Sequence, residues 1–123
     1  MPKRVIDCGN CAPDHHAIRN MIQGHFDAVV EQTHNAAETL ARLRQGDVDL
    51  VLVNRKLDAD YSDGIDVIRQ IKSDDDLSRV PVMLVTNYEE HQQAAVAIGA
   101  VAGFGKLSVS DPQTHALLEP FLG

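Results

Sequence analysis

The chain has 123 residues, 44% hydrophobic and 24% charged, which allows one domain with a buried core and leaves no room for a second. Its formal net charge is −7 and its 11 Lys and Arg residues form no run, which disfavours a nucleic-acid or anionic-membrane surface. The sequence shows no apolar stretch of membrane-spanning length and no signal-peptide pattern. We therefore expect a single domain over residues 1–123, located in the cytoplasm, with its cysteines reduced.

Five short runs, most of them rich in β-branched residues, recur along the chain and predict strands. They cover residues 4–8, 28–32, 50–54, 80–86 and 101–105. The third run and the fourth are continuously apolar, which is typical of strands that are buried on both faces of a parallel sheet.

Segments with apolar residues at helical spacing follow each strand run. These stripes are Ile18, Met21 and Ile22; Ala36, Ala37, Leu40 and Leu43; Ile65, Ile68 and Ile71; Ala94, Ala95 and Ile98; and Leu117, Leu118 and Phe121. Asn35 with Glu38 predicts a capping box at the start of the second helix, and Gly46 predicts its end. Asp111 followed by Pro112 predicts the start of the last helix.

The resulting order is a strand and a helix repeated five times. Because each crossover between parallel strands is right-handed, this alternation predicts a doubly wound α/β fold with helices on both faces of the sheet. We expect five parallel strands in the order 2-1-3-4-5.

Ligands of such sheets bind beyond the carboxyl ends of the strands, where the strand order reverses. The residues predicted to lie at these ends are Asp7, Cys8, Asn54, Thr86 and Lys106. One polar residue can simply end a strand, but this set at these positions predicts a shared site or its remnant. Lys106 could pair with a carboxylate or hold an anion, and Thr86 could donate a hydrogen bond to that anion.

Four short segments have an order and spacing that point to one family. They are Leu-Val-Leu-Val-Asn at 50–54, Asp-Gly-Ile at 63–65, Pro-Val-Met-Leu-Val-Thr at 81–86, and Gly99 and Ala100 followed by Lys106. Over essentially its whole length the chain resembles the receiver domain of bacterial two-component response regulators, which has a flavodoxin-like fold. The resemblance implies a role in phosphorelay signalling.

In that family a carboxylate after strand three accepts a phosphoryl group from a histidine kinase, and acidic residues after strand one help to hold Mg²⁺. A Thr or Ser after strand four and a Lys after strand five bind the phosphoryl oxygens. The resemblance therefore assigns Thr86 and Lys106 to phosphoryl binding, and it assigns Asp7 to the first acidic position.

Other positions depart from the family pattern. Asn54 replaces the acceptor, Cys8 replaces the second acid, Leu107 replaces the usual proline, and Gly103 stands in place of the switch aromatic with Phe104 one place later. The loop over residues 55–63 is also longer than usual, and its Asp58, Asp60 and Asp63 are either surrogate carboxylates or a solvated turn.

These departures predict a pseudo-receiver that is not an enzyme. An amide nitrogen is a poor nucleophile because its lone pair is delocalised into the carbonyl group. Mg²⁺ usually needs one or two carboxylates besides water, and only Asp7 remains as a residual ligand. We expect no stable phosphorylation, no cofactor, and weak or absent Mg²⁺ binding.

A C-x-x-C motif gives an alternative interpretation. Cys8 and Cys11 flank the predicted start of the first helix, where the helix dipole lowers a thiol pKa, and His15 and His16 follow closely. The four side chains could serve a redox sensor or a Zn²⁺ site. In the alternative without a redox or metal role, Cys8 is a small neutral residue that fills space in the degenerate site, and His15 and His16 face solvent.

The expected partners are proteins, either other signalling proteins or a second copy of the chain. In receivers the fourth helix, fifth strand and fifth helix commonly form the contact face, which here directs attention to residues 88–98 and 101–107. Direct nucleic-acid or membrane binding is not expected.

Overall fold

The computed structural model describes residues 2–123. Its strands are β1 (Lys3–Cys8), β2 (Ala28–Thr33), β3 (Leu50–Asn54) and β4 (Val82–Val85). Its helices are α1 (Ala12–His25), α2 (Ala36–Arg44), α3 (Gly64–Ser73), α4 (Glu89–Ala97) and α5 (Pro112–Leu122), with one short 3₁₀ turn at Lys106–Ser108. Within the described part of the chain, no helix has the length and apolar character needed to cross a bilayer.

The strands form one parallel sheet in the order β2-β1-β3-β4. β1 lies at the reversal point, with Val5 opposite both Val30 of β2 and Leu50 of β3. The carboxyl ends of β1, β3 and β4 therefore lie side by side at one edge, as the predicted strand order requires.

Each sheet face is covered by its own apolar core. Ile6, Val51 and Val53 pack with residues of α2, α3 and α4 on one face. Val5 and Leu52 pack with residues of α1 and α5 on the other. Because side chains alternate along a strand, consecutive residues at the end of β1 serve different faces.

The predicted fifth strand over residues 101–105 was wrong. The segment keeps one parallel ladder pair, Met83 with Val101, and does not continue as a strand. It still follows β4, because Val101 N donates to Val82 O at 2.9 Å and the backbone of residue 104 accepts from the amide of residue 86 at 3.1 Å.

The side chain of Gln92 in α4 explains the interruption. Its Nε2 donates to Leu84 O at 2.8 Å, and its Oε1 accepts from Gly103 N at 3.0 Å. The Gln92 amide thus forms hydrogen bonds with one backbone group of β4 and one of the segment 101–105. A β-carbon on Gly103 would collide with the Leu84 carbonyl oxygen, so the close approach of this segment to β4 requires glycine at position 103.

One half of the capping box predicted for α2 is present, with Asn35 Oδ1 accepting from Glu38 N at 2.8 Å. Glu38 Oε2 accepts from the Asn35 side-chain amide at 3.4 Å and not from the Asn35 backbone N–H. Gly46 follows α2 with a φ of 84°, as a helix-ending glycine requires. Asp111 and Pro112 begin α5 as predicted, but the Asp111 side chain makes no capping hydrogen bond.

Candidate functional site

One cleft at the carboxyl edge of the sheet collects three of the predicted site residues. Asn54, Thr86 and Lys106 line a space of about 190 Å³, together with Arg55, Lys56, Val85, Asn87 and Tyr88. The ends of β3 and β4 and the segment after them bring these distant positions together. Asp7 and Cys8, the other two predicted residues, do not line the cleft.

The Asn54 side chain ties the loops around the cleft together. Its Nδ2 donates to Lys56 O at 2.7 Å and to Gly9 O at 3.3 Å, and its Oδ1 accepts from Arg55 N at 3.0 Å. The two donated bonds require an amide, because a carboxylate in this place has no hydrogen to donate.

Asp7 is completely buried beneath this edge and faces α1. Its Oδ2 lies 2.7 Å from His15 Nδ1, and its Oδ1 accepts from Asn10 Nδ2 at 2.5 Å. Burial raises the pKa of the Asp7 carboxyl, while the contacts with Asn10 and His15 act in the opposite direction. Both carboxylate oxygens therefore have partners from this chain.

Lys106 pairs with Asp14 at the start of α1. The Nζ–Oδ2 distance is 2.8 Å, and Cys11 Sγ donates to the same Asp14 oxygen at 3.2 Å. The hydrogen bond from Lys106 lowers the pKa of the Asp14 carboxyl despite some desolvation. This pair connects the carboxyl edge of the sheet to the first turn of α1.

The Asp7 and Asn54 side chains, which stand where a receiver would offer ligands to Mg²⁺, are both engaged within the chain. Asp7 is already held by Asn10 and His15, and the Asn54 amide directs its hydrogens toward backbone carbonyl oxygens. Among residues 2–123 no three His, Cys, Asp or Glu side chains gather in a metal-binding group.

Cys8 and His15 serve opposite faces of the sheet. The Cys8 side chain is fully buried in the core covered by α2, α3 and α4, near the hydroxyls of Thr33 and Thr39. Burial raises the pKa of the Cys8 thiol, which opposes thiolate formation. Cys11 is half-buried and His16 is exposed, with its ring 5.9 Å from that of His15. Because Cys8 lies on the other face of the sheet, the four candidate ligands do not converge on one point.

The loop over residues 55–63 is compact. Lys56 and Asp63 close it through one antiparallel ladder pair and a 3.2 Å ion pair. Leu57 is buried against Gly9, whose φ is 80° and where a β-carbon would collide with the leucine side chain. The loop thereby docks on the turn after β1 and holds Arg55 and Lys56 beside Asn54.

Thr86 and the segment 103–107 complete the edge. Thr86 is buried, and its Oγ1 accepts from Tyr88 N at 3.3 Å. Phe104 is buried in the core on the α1 and α5 face. Leu107, in place of the usual proline, leaves 87% of its surface exposed and follows a trans peptide bond.

Comparison with protein families identifies the kind of domain to which this site belongs. The model of the response regulator receiver domain matches residues 12–106. The chain belongs to the response regulator receiver family. It is therefore a receiver domain of two-component signalling.

Solved structures of response regulators share the fold at low sequence identity. Chemotaxis protein CheY4 of Vibrio cholerae is 16% identical, with 99% of this chain and 100% of that chain covered and a TM-score of 0.77. RcsB of Salmonella typhimurium is 18% identical over 97% of this chain and 60% of that one, with a TM-score of 0.77. The phosphorylated cyanobacterial phytochrome response regulator RcpA is 20% identical over 98% and 89%, with a TM-score of 0.70. No curated protein sequence matches the chain.

Sequence reasoning missed the side chains around the start of α1 that contact Asp7 and Lys106. The partners of Asp7 and Lys106 are His15, Asn10 and Asp14, and none was predicted in that role. The only feature of the sequence that could have indicated this role is that Asn10, Asp14 and His15 follow Asp7 within 8 residues. Which of them turn toward the sheet is decided by how α1 packs.

Proposed function

We propose that this receiver does not accept a phosphoryl group and acts by binding protein partners. The observation that carries the proposal is the pair of hydrogen bonds that Asn54 donates to Gly9 O and Lys56 O. These bonds support a structural role for the Asn54 amide, which joins the turn after β1 to the loop after β3.

The chemistry of the site supports this proposal at two points. The Asn54 nitrogen is a poor nucleophile, because its lone pair is delocalised and its hydrogens face carbonyl oxygens. The carboxylate that would help to hold Mg²⁺ is Asp7, which is buried and already has two partners from the chain. A divalent cation would have to compete with these partners for the Asp7 oxygens.

The proposed contact face comprises α4, the segment 101–107 and α5. Tyr88, Val96 and Leu107 are exposed there, with 59%, 46% and 87% of their surfaces accessible. Leu107 also lines a groove on this face, together with Gln92, Gly103 and Thr114. Large apolar side chains exposed near a groove favour contact with a protein surface.

The first experiment follows backbone amide signals of Asn54, Thr86 and Lys106 by NMR during titration with beryllofluoride and Mg²⁺. We expect no saturable change at millimolar Mg²⁺, and no phosphoryl mass increment after incubation with acetyl phosphate. Saturable shifts centred on these three residues, or a covalent adduct, would overturn the proposal.

The contact face is tested by sedimentation of the wild type over a range of concentrations, compared with Leu107→Asp and Tyr61→Asn. Both positions are highly exposed, so each substitution should change the free energy of unfolding by less than about 0.5 kcal/mol. If a second copy binds this face, Leu107→Asp abolishes self-association and Tyr61→Asn does not. Equal self-association in both variants would exclude the face as a dimer contact.

A further inference from the structure

Two histidine rings from distant parts of the chain stack against each other where α1 meets α5. His25 is the last residue of α1, and His115 lies in the first turn of α5. Their ring centroids are 3.8 Å apart, and the ring planes are tilted by 32°. The contact therefore joins two helices through two side chains that can each act as a metal ligand.

The His25 ring is held in a way that leaves one nitrogen free. Its Nδ1 lies 2.9 Å from Met21 O. Because a carbonyl oxygen only accepts hydrogen bonds, Nδ1 carries the hydrogen, and in a neutral imidazole the Nε2 lone pair is then available. Histidines that bind metal ions have this same arrangement, in which the second ring nitrogen donates to a backbone carbonyl or a carboxylate.

The His115 ring has a buried nitrogen without a partner. Its Nε2 is shielded from solvent and has no hydrogen-bond partner among residues 2–123. A buried polar nitrogen in this state is unfavourable, and a bond to a metal ion would satisfy it. Rotation of the ring about its Cβ–Cγ bond breaks no hydrogen bond at Nε2. His115 is thus the ring that can adjust to an ion held by His25.

Both rings line one open groove, which gives an ion access to them. The groove has a volume of about 580 Å³, and Asn20 and Ser110 contribute neutral oxygens to its lining. Lys106 also lines it, but the Lys106 ammonium is paired with Asp14 at 2.8 Å. Among the described residues that line the groove there is no carboxylate. Its metal-binding groups are therefore the two imidazoles.

We propose that His25 and His115 form a two-histidine site for a divalent cation of the late first-row metals, such as Zn²⁺. Imidazole nitrogen suits these ions, whereas Mg²⁺ and Ca²⁺ prefer oxygen ligands. Two imidazole nitrogens bonded to one tetrahedral Zn²⁺ at about 2.0–2.1 Å lie roughly 3.4 Å apart. Rings that already stack at 3.8 Å reach this separation by rotation of His115. Water and the oxygens of Asn20 and Ser110 take the remaining positions.

A bound ion would fasten α5 to α1. Because only the folded chain brings positions 25 and 115 together, the ion would stabilise the folded state by mass action. The site uses neither Asn54 nor Thr86 and does not depend on the proposed function. Since α5 is part of the proposed contact face, metal occupancy would restrict the movement of one side of that face.

The test is a titration of the full chain with Zn²⁺ at neutral pH, in which NMR signals of each histidine ring are followed. We expect saturable shifts of the His25 and His115 rings and a higher melting temperature. His115→Gln should weaken Zn²⁺ binding at the His25 ring by roughly 10–100-fold or more, because losing a ligand costs at least as much as losing an outer-shell partner. His34→Gln removes an exposed histidine elsewhere and should leave the affinity unchanged.

His25→Gln is the second variant should His115→Gln lower the melting temperature without metal, because the His25 side chain is exposed. Equal Zn²⁺ affinity of the His115→Gln and His34→Gln variants at the His25 ring would overturn the site. Shifts that do not saturate, or that are confined to His16 and Cys11, would also overturn it. Mg²⁺ should leave both rings unmoved, and saturable Mg²⁺ shifts there would contradict an imidazole site for late first-row metals.

Discussion

The Nδ1 atom of His15 lies 2.7 Å from Oδ2 of Asp7, and both side chains are buried. His15 comes from the first turns of α1, and Asp7 comes from the end of β1. In a receiver that binds Mg²⁺, the acid at this position would help to hold the cation. Here a side chain of the same domain takes one of its oxygens, and Asn10 takes the other.

His15→Ala should destabilise the fold by about 2–4 kcal/mol, because it leaves a buried carboxylate oxygen without its partner. His16→Ala makes the same substitution at the neighbouring exposed position and should change stability by less than about 0.5 kcal/mol. Urea unfolding at neutral pH measures both values. Equal midpoints for the two variants would show that the Asp7–His15 contact adds nothing to stability.

Asp7→Asn should remove one component of the pH dependence of stability. The folded-state pKa of Asp7 is raised above its ordinary value of 3.8, with burial as the largest cause. The folded protein therefore binds this proton more tightly, and the associated stabilisation is lost as pH rises from 3.8 through the raised pKa.

The measurement compares the free energy of unfolding of wild type and Asp7→Asn at a series of acidic to neutral pH values. Groups with lowered pKa values, such as Asp14 and Glu31, give the opposite slope in both proteins and largely cancel in the difference. We expect the wild type to lose stability relative to Asp7→Asn as pH rises. A flat or rising difference would contradict the raised pKa.

Asn54→Asp should destabilise the protein by about 1–3 kcal/mol in EDTA, because it removes two donors and sets a carboxylate against Gly9 O and Lys56 O. Mg²⁺ should recover part of this loss in the variant, since a carboxylate and two carbonyl oxygens form a set of hard ligands. Wild-type stability should not respond to Mg²⁺. Asn20→Asp, on the exposed side of α1, is the matched control, and equal effects at both positions would refute the structural role of the Asn54 amide.

Gln92→Ala should cost about 1–3 kcal/mol, because Leu84 O and Gly103 N lose the side chain that satisfies them. Gln93→Ala changes an exposed neighbour on the same helix and should be nearly neutral. Hydrogen exchange at the Gly103 amide should accelerate in the first variant alone. Retained protection with unchanged stability would mean that the segment closes onto β4 as a full strand without the Gln92 amide.

Cys11 should react with a thiol reagent in the native protein while Cys8 does not. Cys11 is half-buried, whereas Cys8 is fully buried and its pKa is raised by that burial. We expect one fast thiol in the wild type, none in Cys11→Ser, and two in the wild type after unfolding. Fast reaction of both native thiols would revive the redox interpretation of the C-x-x-C motif.

The sequence predicted most of the fold because its patterns are local. The apolar run of β3, the stripe of α3 and the Asn35 cap of α2 each lie within a few residues, and all three elements were placed correctly. The missing fifth strand depended on Gln92, which reaches its backbone partners across 8 and 11 residues. Gly103 and Gly105 weaken the strand pattern of residues 101–105, but the side chain that takes the backbone partners lies outside that segment.

By itself the sequence determined the receiver fold and the group at the acceptor position. The alternation of strands and helices sets the strand order, and Asn54 comes at the end of β3 whatever surrounds it. Tertiary structure alone decided what the remaining charges do: Asp7 contacts His15, Lys106 contacts Asp14, and Arg55 remains without an ion pair among residues 2–123. The physical reason is that ion pairing depends on which faces of α1 and of the loop after β3 meet the sheet edge, and packing of the whole domain sets those orientations.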